Sequence, residues 1–245
     1  MTHLSVDELT INYEKFISII EDHITGERKE QLIKLYRDHQ ERIMLMPASS
    51  KEQHHNCFPG GYILHVINVV EAGFKVIKVW QEMGSGVDFT TEEFVFAAIN
   101  HDLGKIGDED NEMYIPQDSD WHRKNQGALY KMNPQPDFML IPDRSLFLLQ
   151  QRGIRVSLKE WFGIKLHDGL YDESNKAYYI AYDKNSRLRS SLPYILHQAD
   201  SIAARVEYEQ WLTNASKPRI KPVKETDDQH KAELMNVFDQ LFKKD

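Results

Sequence analysis

Apolar residues recur at helical spacing along most of the chain, and capping residues stand where that pattern begins. Leu9, Ile11, Tyr13, Phe16, Ile19 and Ile20 predict a helix over 5–24, opened by the capping box Ser5…Glu8. A second, charged amphipathic helix is expected over 27–46, ending before Pro47 and forming a hairpin with the first. Residues 59–83 form the most apolar helical segment, with Leu64, Ile67, Val70, Phe74, Ile77 and Trp80 on one face and Gly84-Ser-Gly86 as its stop. Thr90…Glu93 opens a helix to about Leu103, and Ser157…Glu160 opens another to about Leu166. Residues 190–213 make the last core helix, with Pro193 tolerated in its first turn. Two stretches, 112–132 and 176–183, are aromatic or β-branched and read as small hairpin strands or ordered loops. A basic stretch from Lys217 to Lys224 precedes a final amphipathic helix over 227–243, a candidate surface for a homo-oligomer. The expected division is an N-terminal helical hairpin over 1–46, a main domain over 47–213 and a linker with a C-terminal helix over 214–245.

Composition narrows the chemistry. The 245 residues are 41% hydrophobic and 28% charged, as in an ordinary soluble globular protein. A net charge of −8 disfavours non-specific binding to duplex DNA or an anionic membrane, while a local basic cleft stays open. The single cysteine, Cys57, excludes an internal disulfide framework and a Cys-rich zinc site. No apolar run approaches the ~18 residues of a membrane span, and the polar, acidic start is unlike a signal peptide. A reducing cytoplasm is the expected compartment.

Eleven histidines are the unusual feature. His65 lies on the apolar face of the 59–83 helix, His101-Asp102 closes the next helix, and His167 closes the helix after Ser157. Asp200 sits within the apolar 190–213 helix, where a carboxylate needs a partner. One shared metal accounts for all four places together. Mixed imidazole and carboxylate donors suit Mn, Fe, Co, Ni or Zn better than Ca, and helices of a bundle can project such ligands inward.

The ordered pattern His65…His101-Asp102…Asp200 resembles the HD superfamily of metal-dependent phosphohydrolases. His54-His55-Asn-Cys-Phe-Pro-Gly-Gly61…His65 is similar to the HHxxxxGGxxxH entry of branches that include the YhaM-like exoribonucleases. His101-Asp-Leu-Gly-Lys105 has the HDxGK form, and Leu196-His-Gln-Ala-Asp-Ser-Ile-Ala203 resembles the terminal "AD" helix. The resemblance spans about residues 47–212. It implies an all-α HD-domain bundle, here with a small β-hairpin insertion and helical extensions at both ends. It implies His65, His101, Asp102 and Asp200 as metal ligands, with catalysis through Asp102, Lys105 and His167. The metal would activate a water and polarise a phosphoryl oxygen. Lys105 would contact phosphate. His167, in an HxG-like element, would be a second-metal ligand, a general acid or a substrate contact.

Some residues depart from that family. Dinuclear members need a further histidine, for which His122 is the candidate, and no histidine stands near Ile141-Pro-Asp-Arg-Ser145. One ion per chain is therefore expected, with a second, at His122 and His167, left open. Lys105 in place of the Glu of HDxxE argues against the 5′-deoxynucleotidase branch. Trp121, Arg123, Lys124 and Arg144 are candidates to stack a base and hold phosphate. The expected substrate is a phosphoester of a nucleotide or of a single-stranded nucleic-acid end. A di-iron oxygenase and a non-catalytic nucleotide-binding module are the alternatives.

Overall fold

The computed structural model describes residues 4–213, so the expected basic stretch and helix of the tail lie outside it. Among the described residues the chain is all-α with one small hairpin. The N-terminal helices are α1 (Val6–His23), α2 (Gly26–Asp38) and α3 (Gln40–Leu45). The expected single helix over 27–46 is thus broken at His39, whose φ of −111° and ψ of 20° leave the helical region. The long α4 (Gly61–Glu82) and α5 (Thr91–Asn100) follow. Next come β1 (Tyr114–Pro116), α6 (Asp120–Gln126) and β2 (Tyr130–Met132). The strands pair antiparallel, with Ile115 opposite Lys131. The remaining helices are α7 (Ile141–Gln151), α8 (Leu158–Leu166), α9 (Lys176–Tyr179) and α10 (Leu192–Leu212). No helix of the described residues is long and apolar enough to cross a membrane.

The three expected capping boxes all form: Ser5 with Glu8, Thr90 with Glu93, and Ser157 with Glu160. Each satisfies backbone N–H groups that have no partner inside the helix. The stretch near Tyr178, expected as hairpin strands or ordered loops, instead forms the short helix α9, where the Tyr179 hydroxyl donates to the Leu166 carbonyl at 2.9 Å. That tertiary bond outweighs the strand preference of consecutive tyrosines.

One apolar core joins α1, α2, α4, α5, α8 and α10 through residues such as Phe16, Leu32, Tyr36, Val66, Phe94, Ile164 and Ile195. Tyr36 links the N-terminal helices to the end of α5, lying 2.9 Å from both the Ile99 carbonyl and Asn100 Oδ1. Helix α10 packs along α4, and α8 along α5. Four chain segments therefore converge on the C-terminal end of α5, which is where His101 and Asp102 stand.

The α4–α5 approach depends on Gly73. A Cβ there would overlap the Phe94 ring of α5. Alanine is the better helix former by about 0.8–1.0 kcal/mol, whereas overpacking a core costs about 1–3 kcal/mol. Gly73→Ala is therefore expected to lower the thermal midpoint rather than raise it. A midpoint equal to or above wild type would show that the two helices have room to separate.

Candidate metal centre

Two consecutive residues on an α-helix point ~100° apart, so His101 and Asp102 cannot both face one site from a continuous helix. The chain resolves this by leaving the helix between them. His101 is still helical, at φ −57° and ψ −41°, whereas Asp102 sits at φ −105° and ψ 9°. A 3₁₀ turn over Leu103–Ile106 follows and carries Lys105. This turn lies against α7, where a Cβ on Gly104 would overlap the Ile141 carbonyl oxygen. The Gly104 N–H donates to Ser145 Oγ at 2.7 Å, which pins the turn to α7.

His65 from α4, His101 and Asp102 after α5, His167 after α8 and Asp200 from α10 meet beside this turn. His65 Nε2 lies 3.0 Å from Asp200 Oδ1 and 3.8 Å from Asp102 Oδ2. His101 Nε2 lies 3.4 Å from Asp102 Oδ2 and 4.0 Å from Asp200 Oδ1. His167 Nε2 lies 3.8 Å from Asp102 Oδ1 and 3.6 Å from Asp168 Oδ1. Donor atoms on His65, His101 and Asp200 lie within 4.8 Å of one another, as do those on His101, Asp102 and His167. The triad His167, Asp168 and Asp200 meets the same limit. The four residues expected as ligands are therefore brought together, with His167 adjoining them.

Each imidazole is held by its other nitrogen. His101 Nδ1 donates to the Ala98 carbonyl at 2.7 Å, and His167 Nδ1 to the Ile164 carbonyl at 2.8 Å. His65 Nδ1 meets the Glu207 carboxylate at 3.1 Å. A carbonyl can only accept, so Nδ1 of His101 and His167 carries the proton, and Nε2 presents its lone pair when the ring is neutral. The Nε2 atoms of His65 and His101 are buried and face the carboxylates of Asp200 and Asp102, His101 Nε2 with no hydrogen bond. Leaving a buried polar atom unpaired costs about 1–3 kcal/mol. Two buried nitrogens facing two carboxylates fit a divalent cation.

Charge is balanced around the pair of aspartates. Burial raises the Asp102 pKa, but Lys105, His101 and His167 outweigh it and hold the carboxyl well below its usual range. Burial likewise opposes ionisation of Asp200, and His65 beside it reverses the sign. Lys105 is buried and donates to both Asp102 Oδ2 and the Ala48 carbonyl, which commits two of its three N–H bonds. Burial also works against a charged His65, yet Glu207 and Asp200 push its pKa up to about 10.

Other expected site residues lie apart from this cluster. His122 is exposed on α6, with Nδ1 2.7 Å from Ser119 Oγ and its ring against Trp121. Trp121 and Lys124 are exposed on the same helix, and Arg123 bonds Asp120 and the Gln117 carbonyl. Arg144 is buried on α7, against Gly104 and the Asp137 carbonyl. An opening of about 530 Å³ beside the cluster is lined instead by residues including His54, His55, Asp168, Tyr171, Asp200 and Arg205.

Glu207 is a residue that the sequence pattern does not single out. Arg205 pairs with Glu209 at 2.8 Å, and Glu207 is 3% exposed, bonded to His65 and to Asn68 Nδ2. The available signal was its spacing, two helical turns beyond Asp200 on the same face of α10. His55, expected with His54 in the entry motif and at the mouth of the site, lies against the centre. Its ring stacks 4.5 Å from that of His65.

Comparison with protein-family models, with curated proteins and with solved structures returns no match.

Two outcomes follow from the His65–Glu207 contact. Glu207→Ala is expected to weaken divalent-metal affinity about 10–100-fold, as removal of such orienting partners does elsewhere. Unchanged affinity would contradict the orienting role. In the ion-free chain His65 keeps its proton up to pH about 10, so an incoming cation must displace it. Affinity should therefore rise with pH, by about tenfold per unit for one proton released, across neutral pH. Calorimetry in buffers of differing ionisation enthalpy measures that proton, and a pH-independent affinity would contradict it.

Proposed function

We propose that the chain is a metal-dependent phosphohydrolase of the HD type, cleaving a phosphoester of a nucleotide or of a nucleic-acid end. The observation that carries this reading is the pair of buried Nε2 atoms on His65 and His101, set among the carboxylates of Asp102 and Asp200. The donor set has the composition that selects a transition metal such as Mn, Fe, Co, Ni or Zn. A cation held there supplies a nucleophile by lowering the pKa of a coordinated water and polarises the phosphoryl oxygen.

The chain's own residues do the rest. Glu207 and the Ala98 carbonyl aim the two imidazoles. Lys105 holds Asp102 ionised and in place, so it acts on substrate through Asp102 more than by direct contact. His167 lies at the edge of the cluster beside Asp168. Burial opposes its protonation, but Asp168 and Asp102 raise its pKa above the ordinary histidine value. A proton on His167 Nε2 is thus available to a leaving oxygen. Tyr171 at the opening offers a ring face to the remainder of a nucleotide.

The second reading is a dinuclear centre, supported by the further donor triad of His167, Asp168 and Asp200. With two irons it would extend to oxygenase chemistry, and it would not use His122. Asp102→Ala is the direct test of the first reading. The metal-loaded wild type is expected to release product from a panel of nucleotide mono- and diesters, and the variant to lose at least about a hundredfold in kcat/KM, ~2.7 kcal/mol of barrier. Absence of turnover on the whole panel, with metal bound, would overturn it. Oxygen consumption by a two-iron form would favour the second.

A further inference from the structure

His55 is half-buried, and nothing in the centre itself requires its buried Nε2. It stands on a loop fixed at several points: Ala48 N–H donates to the Asn56 carbonyl at 3.1 Å, Ser49 Oγ to the His55 carbonyl at 2.7 Å, and Glu52 N–H to the Gly127 carbonyl at 2.8 Å. Asn56 takes a left-handed φ of 41° directly after it, a conformation that asparagine tolerates better than most residues. The loop is thus built to hold the ring over His65, with the planes 33° apart. Its Nε2 is buried and has no hydrogen-bond partner.

Position separates two roles for that atom. A donor of His55 lies within 4.8 Å of donors on His65 and Asp102, but it joins no such group with His101 or Asp200. It therefore stands to one side of the His65–His101–Asp200 triad. His55 also lines the opening through which a substrate would approach. A group placed so reaches what the centre holds.

The surrounding charges make the same point. Asp168 and Asp200 give the opening two carboxylates, which repel an oxyanion. The Lys105 ammonium is bonded to Asp102 and Ala48, and the Arg205 guanidinium to Glu209. The Nε2 of His55 is a desolvated ring nitrogen at this edge, buried and without a hydrogen-bond partner.

Building on the phosphohydrolase reading, we infer that His55 is a substrate-binding residue whose Nε2–H donates a hydrogen bond to a non-bridging oxygen of the phosphoryl group. Preorganised donors of this kind serve an oxyanion best in a site that excludes water.

The test uses the metal-loaded chain, with metal content measured alongside binding. Inorganic phosphate and a nucleoside 5′-monophosphate are titrated into wild type, His55→Phe and His55→Gln. Phenylalanine keeps a ring over His65 without the donor, and glutamine keeps a donor without the ring. Both probes are expected to bind about tenfold more weakly to His55→Phe, as for a lost hydrogen bond to a charged group. His55→Gln is expected to recover part of that loss, with metal content equal in all three. Unchanged phosphate affinity in both variants would overturn the assignment. So would a loss for the monophosphate alone, which would put His55 on the nucleoside, or reduced metal content, which would make it a ligand of the ion. A wild-type chain that takes up no metal would instead remove the phosphohydrolase reading, and this assignment with it.

Discussion

Glu207 and His65 face each other across α4 and α10, with each side chain 1% exposed. An imidazole and a carboxylate removed this completely from water must be fully paired, or the fold loses several kilocalories per mole. On one side the requirement is met, because Glu207 accepts from His65 Nδ1 and from Asn68. On the other side His65 Nε2 is left facing Asp200 and Asp102. The pair ties the two longest helices together and aims a nitrogen at the carboxylates. The rest of the centre depends on that aim. His101 and His167 repeat the arrangement with backbone carbonyls in place of a carboxylate, each one turn earlier in its own helix.

The helices position these groups because their ends coincide. His101 and His167 directly follow α5 and α8 as their C-cap residues, the two helices pack against each other, and the two rings meet at 4.7 Å. Asp102 follows where the helix gives way to a tighter turn, and Lys105 in that turn returns to clamp its carboxylate. Carboxylates at a helix C-terminus meet the unfavourable end of the dipole. Lys105 offsets that cost in the ion-free chain, and a divalent cation would offset it further. Packing, capping and charge thus select the same geometry, which is the consistency expected of a specified site.

Much of this was legible in the residues. Long segments with sustained periodicity and a capping box at the start, such as 6–23 and 158–166, form helices close to their expected bounds. The metal-ligand candidates His65, His101, Asp102 and Asp200 were visible as polar groups on apolar faces or at helix ends. What escaped depends on tertiary contact. Helix α7 follows Leu140, an N-cap with no side-chain cap bond, and it stands through Ser145, which bonds Gly104, and through Leu148 and Leu149 in the core. Helix α9 rests on the Tyr179 hydroxyl. Glu207 was hidden by Arg205 and Glu209, a local charge pattern that suggested a surface network. The contact of His55 with His65 was not legible in its loop sequence, because the turn that folds it there depends on bonds to distant strands and turns.

The central claim is that the buried Nε2 atoms of His65 and His101 are metal donors. X-ray absorption spectroscopy on chain purified without chelator, with elemental analysis of the same sample, tests it directly. The expected result is at least one transition-metal ion per chain, with a first shell of nitrogen and oxygen donors at roughly 2.0–2.2 Å that includes imidazole scattering. His65→Ala should lose the ion while remaining folded. A wild-type chain that stays metal-free after reconstitution, or one that keeps its ion in His65→Ala with the same imidazole scattering, would contradict the account.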